Sequence, residues 1–185
     1  LLLLDNSGTV EAFGAGGRLT LSTGHQIDND SAGILEASNG ATLEIDDSLN
    51  NDGQLKTNGG TIDFKGGAIA NTNAILIGAS GTLNVDVATL ELTGSGAVTL
   101  SANSSLITGQ AATNVLDNDG NQITGIGSIT NLTLQNEGGG LIEALGGILI
   151  LSTTNTIANE AGGTLEASSL STLEIHDNVS NFGTL

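Results

Sequence analysis

The chain has 185 residues, 28 of them Gly, with three Phe as its only aromatics and no Pro, Cys, Met, Trp or Tyr. Three basic residues face 20 acidic ones, a net charge of −17, which excludes the basic footprint that nucleic acid and anionic membranes require. The lack of Cys excludes disulfides and thiolate metal sites, and no apolar run approaches the roughly 18 residues of a membrane-crossing helix.

A hydrophobic fraction of 38% is too high for a disordered chain. The apolar residues are Leu, Ile, Val and Ala, which predicts a thin, repetitive core rather than one filled by large rings. The opening Leu1–Leu4 is too short for a signal-peptide core and has no basic flank. With no Met anywhere, the sequence reads as an excerpt of something longer.

In chain order, an Asn, a Gly-containing turn, an apolar–x–small triplet, a second turn and an apolar–x–apolar triplet recur. The first triplet is Val10-Glu11-Ala12, then Leu35-Glu36-Ala37, Leu55-Lys56-Thr57, Leu76-Ile77-Gly78, Ile142-Glu143-Ala144 and Leu165-Glu166-Ala167. The second is Leu19-Thr20-Leu21, Leu43-Glu44-Ile45, Ile62-Asp63-Phe64, Leu83-Asn84-Val85, Leu149-Ile150-Leu151 and Leu173-Glu174-Ile175. A third apolar position follows at Ile27, Leu49, Ile69, Leu90, Ile157 and Val179. Each triplet has period 2, two inward side chains flanking one outward, and Gly, Asn and Asp supply the corners. The expectation is an all-β parallel β-helix, or β-solenoid, with three short strands per coil, 20–25 residues per coil and roughly eight coils. Absent helical periodicity disfavours leucine-rich repeats.

A longer period overlies the first. Gly33–Ser38 is echoed by Gly163–Ser168, and the same 130-residue offset carries Leu2 to Leu132, Asn6 to Asn136, Leu19 to Leu149 and Asn29 to Asn159. Residues 1–185 are therefore expected to be one continuous solenoid, with 1–130 a first copy and 131–185 part of a second. In 93–135 the rhythm loosens, and two coils with longer turns are expected.

Stacking turns each coil position into a column. Asn6, Asn29, Asn51 and Asn71, then Asn136, Asn159 and Asn181, should form an Asn ladder at one corner. Lys56 should relieve Glu36 and Lys65 should sit beside Asp46, while Glu11/Glu36 and Glu143/Glu166 remain like-charged pairs. A divalent cation bridging those pairs is one reading and simple solvation the other. Asp117-Asn118-Asp119-Gly120-Asn121 resembles part of a calcium loop but lacks its trailing Glu, so a polar turn is favoured and the metal assignment stays open. His25 and His176 do not recur in the other copy and read as surface positions. Glu44 and Asp63 would lie on adjacent coils at a spacing compatible with glycoside cleavage. With no Trp or Tyr to stack sugars, a non-enzymatic role without catalytic or cofactor-binding residues is expected. Scattered Thr99, Thr108 and Thr133 do not form an ice-binding array.

The runs Gly94–Leu100, Ile123–Ile129 and Leu134–Gly139 resemble the tandem repeats of very large bacterial adhesin-like exoproteins of the filamentous-haemagglutinin and autotransporter-passenger kind. That resemblance is one of repeat style. It implies secretion or cell-surface location, a β-helical stalk or filament, and a role in adhesion or biofilm. Implied partners are neighbouring repeats, through end-to-end or lateral self-assembly, or a glycan or surface ligand.

Overall fold

The computed structural model describes residues 2–185. Every element is a strand, and nearly all pairing is parallel, between one coil and the next, giving a β-solenoid of about eight turns. The coils are numbered one to eight by the residues that stack on the first face: Val10, Leu35, Leu55, Ile75, Val98, Ile123, Ile142 and Leu165. In the lower coils each turn has three short strands. The first face holds Thr9–Phe13, Ile34–Ser38, Gln54–Asn58 and Ala74–Ile77; the second holds Arg18–Leu21, Thr42–Ile45, Thr61–Phe64 and Thr82–Val85. The third holds Asp5–Asn6, Ile27–Asn29, Leu49–Asn51 and Ala68–Asn71.

Alternation in the sequence sets which side chains turn inward. In Thr61–Phe64, Ile62 and Phe64 are buried while Thr61 and Asp63 stand outward. Repeated coil by coil, this builds continuous columns of fully covered Leu, Ile and Val. Each residue packs against its counterpart about 4.8 Å above and below.

Two expected positions are corrected. The fourth first-face strand pairs Leu55 with Ile75 and Thr57 with Ile77, so Leu76 faces outward and Ile75 and Ile77 fill the core. Ala74–Ile77 is apolar throughout, and a one-residue slip cannot be told from hydrophobicity alone. On the third face Ile69 pairs with Leu92, not Leu90. Both leucines are buried, Leu90 lying beneath Leu116. A two-residue slip keeps the same facing, so period 2 cannot choose between them.

Residues 93–135 are distinguished by longer strands. Ala97–Gly109 and Gln122–Glu137 run on through the corner between the first and second faces, as does Leu141–Thr154 above them. The corner of coil five swells outward between Ser101 and Leu106. Coil six crosses it on Gly125-Ile126-Gly127, with φ of +122° and +142° at the two glycines. A Cβ on Gly125 would fall 2.0 Å from the carbonyl oxygen of Leu100, and one on Gly127 2.5 Å from that of Ser105, so only Gly permits this short cut.

The register makes a direct prediction. Ile75→Ala should lower unfolding free energy by about 2–4 kcal/mol, and Leu76→Ser by about 1 kcal/mol or less. Urea titration of both variants checks this; a larger loss at Leu76 would refute the register.

Candidate functional site

The most regular polar feature is buried. Asn6, Asn29 and Asn51 each donate Nδ2–H to Oδ1 of the Asn one coil above, at 2.8, 2.7 and 2.8 Å, ending on Asn71. A second run links Asn118, Asn136, Asn159 and Asn181 at 2.8, 2.8 and 2.7 Å. The second amide proton goes to a backbone carbonyl, as from Asn29 to Gln54 at 3.1 Å and from Asn51 to Ala74 at 3.2 Å. Close approach is possible because glycine follows: a Cβ on Gly33 would lie 2.3 Å from Asn29 Oδ1, and one on Gly163 2.6 Å from Asn159 Oδ1. Asn6 and Asn136 lie six coils apart, with Asn136 two residues out of step with the column that Asn6 begins.

The ladder is spliced in its middle. Coil four offers Thr93 and Gly94 where an Asn would stand, so Asn71 donates instead to Asn121 Oδ1 at 2.9 Å, 50 residues along the chain. Asn121 in turn donates to the carbonyls of Leu92 and Thr93. Asn118 lies directly over Leu92, which has no donor to give, and its Oδ1 is buried without a partner. Asn118 and Asn121 were not expected in the ladder. The missing Asn of coil four was the signal that another had to take its place.

The three basic residues lie on or beside the first and second faces. Lys56 pairs with Glu36 at 3.3 Å, as expected. Lys65 does not reach for Asp46; it lies 2.5 Å from Glu44, with Asp63 and Asp86 at 4.0 and 3.9 Å. Its stem folds back over the outward column where Glu44 and Asp63 stack in register, the place with most negative charge within reach. Arg18, for which no partner was expected, bonds Glu44 from the coil below and reaches Asp63 at 3.3 Å. Glu44, only 8% exposed, is held below the usual carboxylate range by the Lys65 hydrogen bond, against burial, with help from Arg18 and Thr20. A carboxylate clamped in this way has no proton to donate near neutral pH.

Of the like-charged pairs, Glu11 accepts a 2.6 Å hydrogen bond from Ser38 Oγ, and Glu143 stands in register with Glu166. The Asp117–Asn121 segment is mostly strand rather than loop, since Val115–Asp119 is extended and Asn118 and Asn121 turn inward. Its oxygens therefore diverge. No group of three or more His, Asp or Glu placed to hold a metal occurs among the described residues. Burial, then Glu137, Asp119 and Glu91, raises the Asp117 pKa; the charge of Asp5 does the same to Asp30.

A corner clamp also went unread in the sequence. Asp47 accepts from the Thr23 backbone N–H at 2.5 Å and from its hydroxyl at 3.1 Å, and Asp177 repeats both contacts on Thr153 at 2.5 and 3.2 Å. Each Thr hydroxyl has a single proton, shared between that carboxylate and a backbone carbonyl, His25 at 2.9 Å or Asn155 at 3.0 Å. Backbone alone is used there, which leaves the side chain at that position free to vary. His176 is exposed beside Glu174 at 3.5 Å. Two shallow recesses, about 300 and 240 Å³, open at the corner between the first and second faces. Lys56, Leu76 and Thr99 line the larger, and Asn103, Gly127 and Ile148 the smaller.

Asn51→Ala is expected to cost about 3 kcal/mol, because it strands the amide of Asn29 below and the Oδ1 of Asn71 above. Asn50→Ala, on the outward side, should be close to neutral, and chemical denaturation of the pair tests the difference. Thermal stability should also depend on pH. Asp30 and Asp117 bind protons more tightly in the folded chain, so stability rises as pH falls toward their raised values. The support from Glu44 is present above the ordinary Glu value and is lost as pH falls through its lowered one. Tm should therefore rise as pH falls through the raised values of Asp30 and Asp117, and drop again once Glu44 is protonated below the ordinary Glu value. Asp30→Asn with Asp117→Asn should flatten that rise on the approach to the ordinary Asp value in a calorimetric series.

No protein-family model, curated protein or solved structure matches this chain.

Proposed function

We propose that this chain is a structural segment, a stalk or filament piece, of a large secreted or cell-surface repeat protein that serves adhesion or biofilm formation. The observation that carries this reading is continuity. Parallel pairing joins each coil to the next through all eight, and the polar groups of the interior are spent on one another. At about 4.8 Å per coil the eight coils span about 38 Å, and tandem units would extend that length without new architecture. The surface chemistry agrees. Glu44 and Asp63, the two carboxylates best placed for hydrolysis, are neutralised by Arg18 and Lys65, so the protein is read as non-enzymatic and in need of no cofactor. An acidic exterior of net charge −17 suits an extended, soluble, extracellular rod.

A stalk segment is expected to resist force applied along its axis and to be inert on glycan arrays. Single-molecule pulling from the two termini should give cooperative, coil-by-coil extension. Reproducible array hits, abolished by changes on one face, would move the reading to direct ligand binding.

A further inference from the structure

The corner between the first and second faces differs in chemistry from the other two. Its segments, residues 13–17, 38–41, 58–60, 78–81, 101–105, 125–127, 145–148 and 168–171, contain no Asp, Glu, Lys, Arg or His. The other corners carry acids, such as Asp46, Asp86 and Asp177 on one and Asp30, Asp52 and Glu160 on the other. A chain of net charge −17 thus keeps one edge uncharged along all eight coils. Its exposed large apolar side chains gather on the same edge: Phe13 at 68%, Leu145 at 50%, Ile148 at 45% and Leu170 at 102% exposure. The others, Leu2, Leu3, Phe182 and Leu185, lie close to the ends of the sequence.

The edge also has relief. Coil five bulges between Ser101 and Leu106, coil six is recessed at Gly125-Ile126-Gly127, and coil seven bulges again between Ala144 and Leu149. Coil three has the short corner Asn58-Gly59-Gly60, and the larger recess spans coils three to five where the first face meets this edge, with Leu76 of coil four in its lining and Lys56 at its first-face side.

We propose that this edge is a self-complementary surface on which a second copy of the chain packs antiparallel, about a two-fold axis between coils five and six. The coil-five bulge of each copy then enters the coil-six recess of the other. Leu145 and Ile148 of coil seven cover the coil-four recess, and Leu170 of coil eight meets the short corner of coil three. A two-fold axis requires such reciprocal matching, and charge selects the same occupant. Two strongly acidic rods repel along every other surface, and an antiparallel contact on this edge keeps their acidic corners apart. The contact strip, six coils long, is about 29 Å by one corner's width, less than the roughly 1,600 Å² total of a stable interface. Pairing is therefore weak for one segment and accumulates along a longer array. The proposal deepens the structural reading above and rests on it.

The chain has no Cys, so single cysteines report proximity cleanly. Ser104→Cys mixed with Ile126→Cys should form the mixed disulfide at least about tenfold faster than Ser104→Cys mixed with Ser22→Cys on an acidic corner, since pre-association raises effective concentration. Leu145→Glu should remove that advantage. In sedimentation velocity, dimer should increase with added salt, because screening relieves repulsion and no ion pair is lost. Equal cross-linking rates, indifference to Leu145→Glu, or association that weakens with salt would each overturn the proposal. A monomer that still resists pulling would overturn the pairing while leaving the stalk reading intact; a chain that yields easily to force would undo that reading instead.

Discussion

Most side-chain amides in this core are satisfied by passing one hydrogen bond up the stack and taking one from below. Buried amides without partners cost about 1–3 kcal/mol each. An Asn at this position therefore constrains the coil above and the coil below to supply the same group at the same place. Strand register and turn position are fixed together by that demand, while coil length varies, successive rungs lying 23, 22, 20, 18, 23 and 22 residues apart. The apolar columns are permissive by comparison, accepting Leu, Ile or Val, and Phe64 in one coil.

Where the rule is broken, the structure shows how much rearrangement follows. Coil four lacks the Asn, and Asn121 of a higher coil reaches down to close the lower ladder. Above the break the ladder restarts on Asn118, two residues out of phase with the column beneath it, leaving one acceptor unused. The long strands and the short Gly125–Gly127 corner lie in the same stretch.

Much of this fold was legible from residues alone, because period-2 triplets and recurring Asn are direct images of a stacked coil. The parallel solenoid, its three faces and seven of the ladder residues follow from pattern. The errors share one cause. Pattern does not fix register, so Leu76 in an apolar run was ambiguous by one residue, which reverses its facing, and Leu90 beside Leu92 by two, which does not. Side-chain reach was equally hidden: Lys65 and Asp46 are plausible neighbours by column, yet the potential around Glu44 and Asp63 draws the ammonium the other way. Among candidate sites, the acids and His25 could be located, but whether they converge depended on strand facing. In Asp117–Asn121 facing spreads the ligands apart.

The ladder also has a direction. In each run every bond between amides runs the same way, from the Nδ2–H of one Asn to the Oδ1 of the Asn in the next, C-terminal coil. The side-chain dipoles are thus aligned head to tail along the axis, much as peptide dipoles are in a helix. An array of such coils is vectorial. Units can be added along the axis in one orientation only, since a reversed unit would set donor against donor or acceptor against acceptor at the joint. The rod is polar in the sense that a screw thread is handed, and that polarity is written in its interior, where no partner on the surface can alter it.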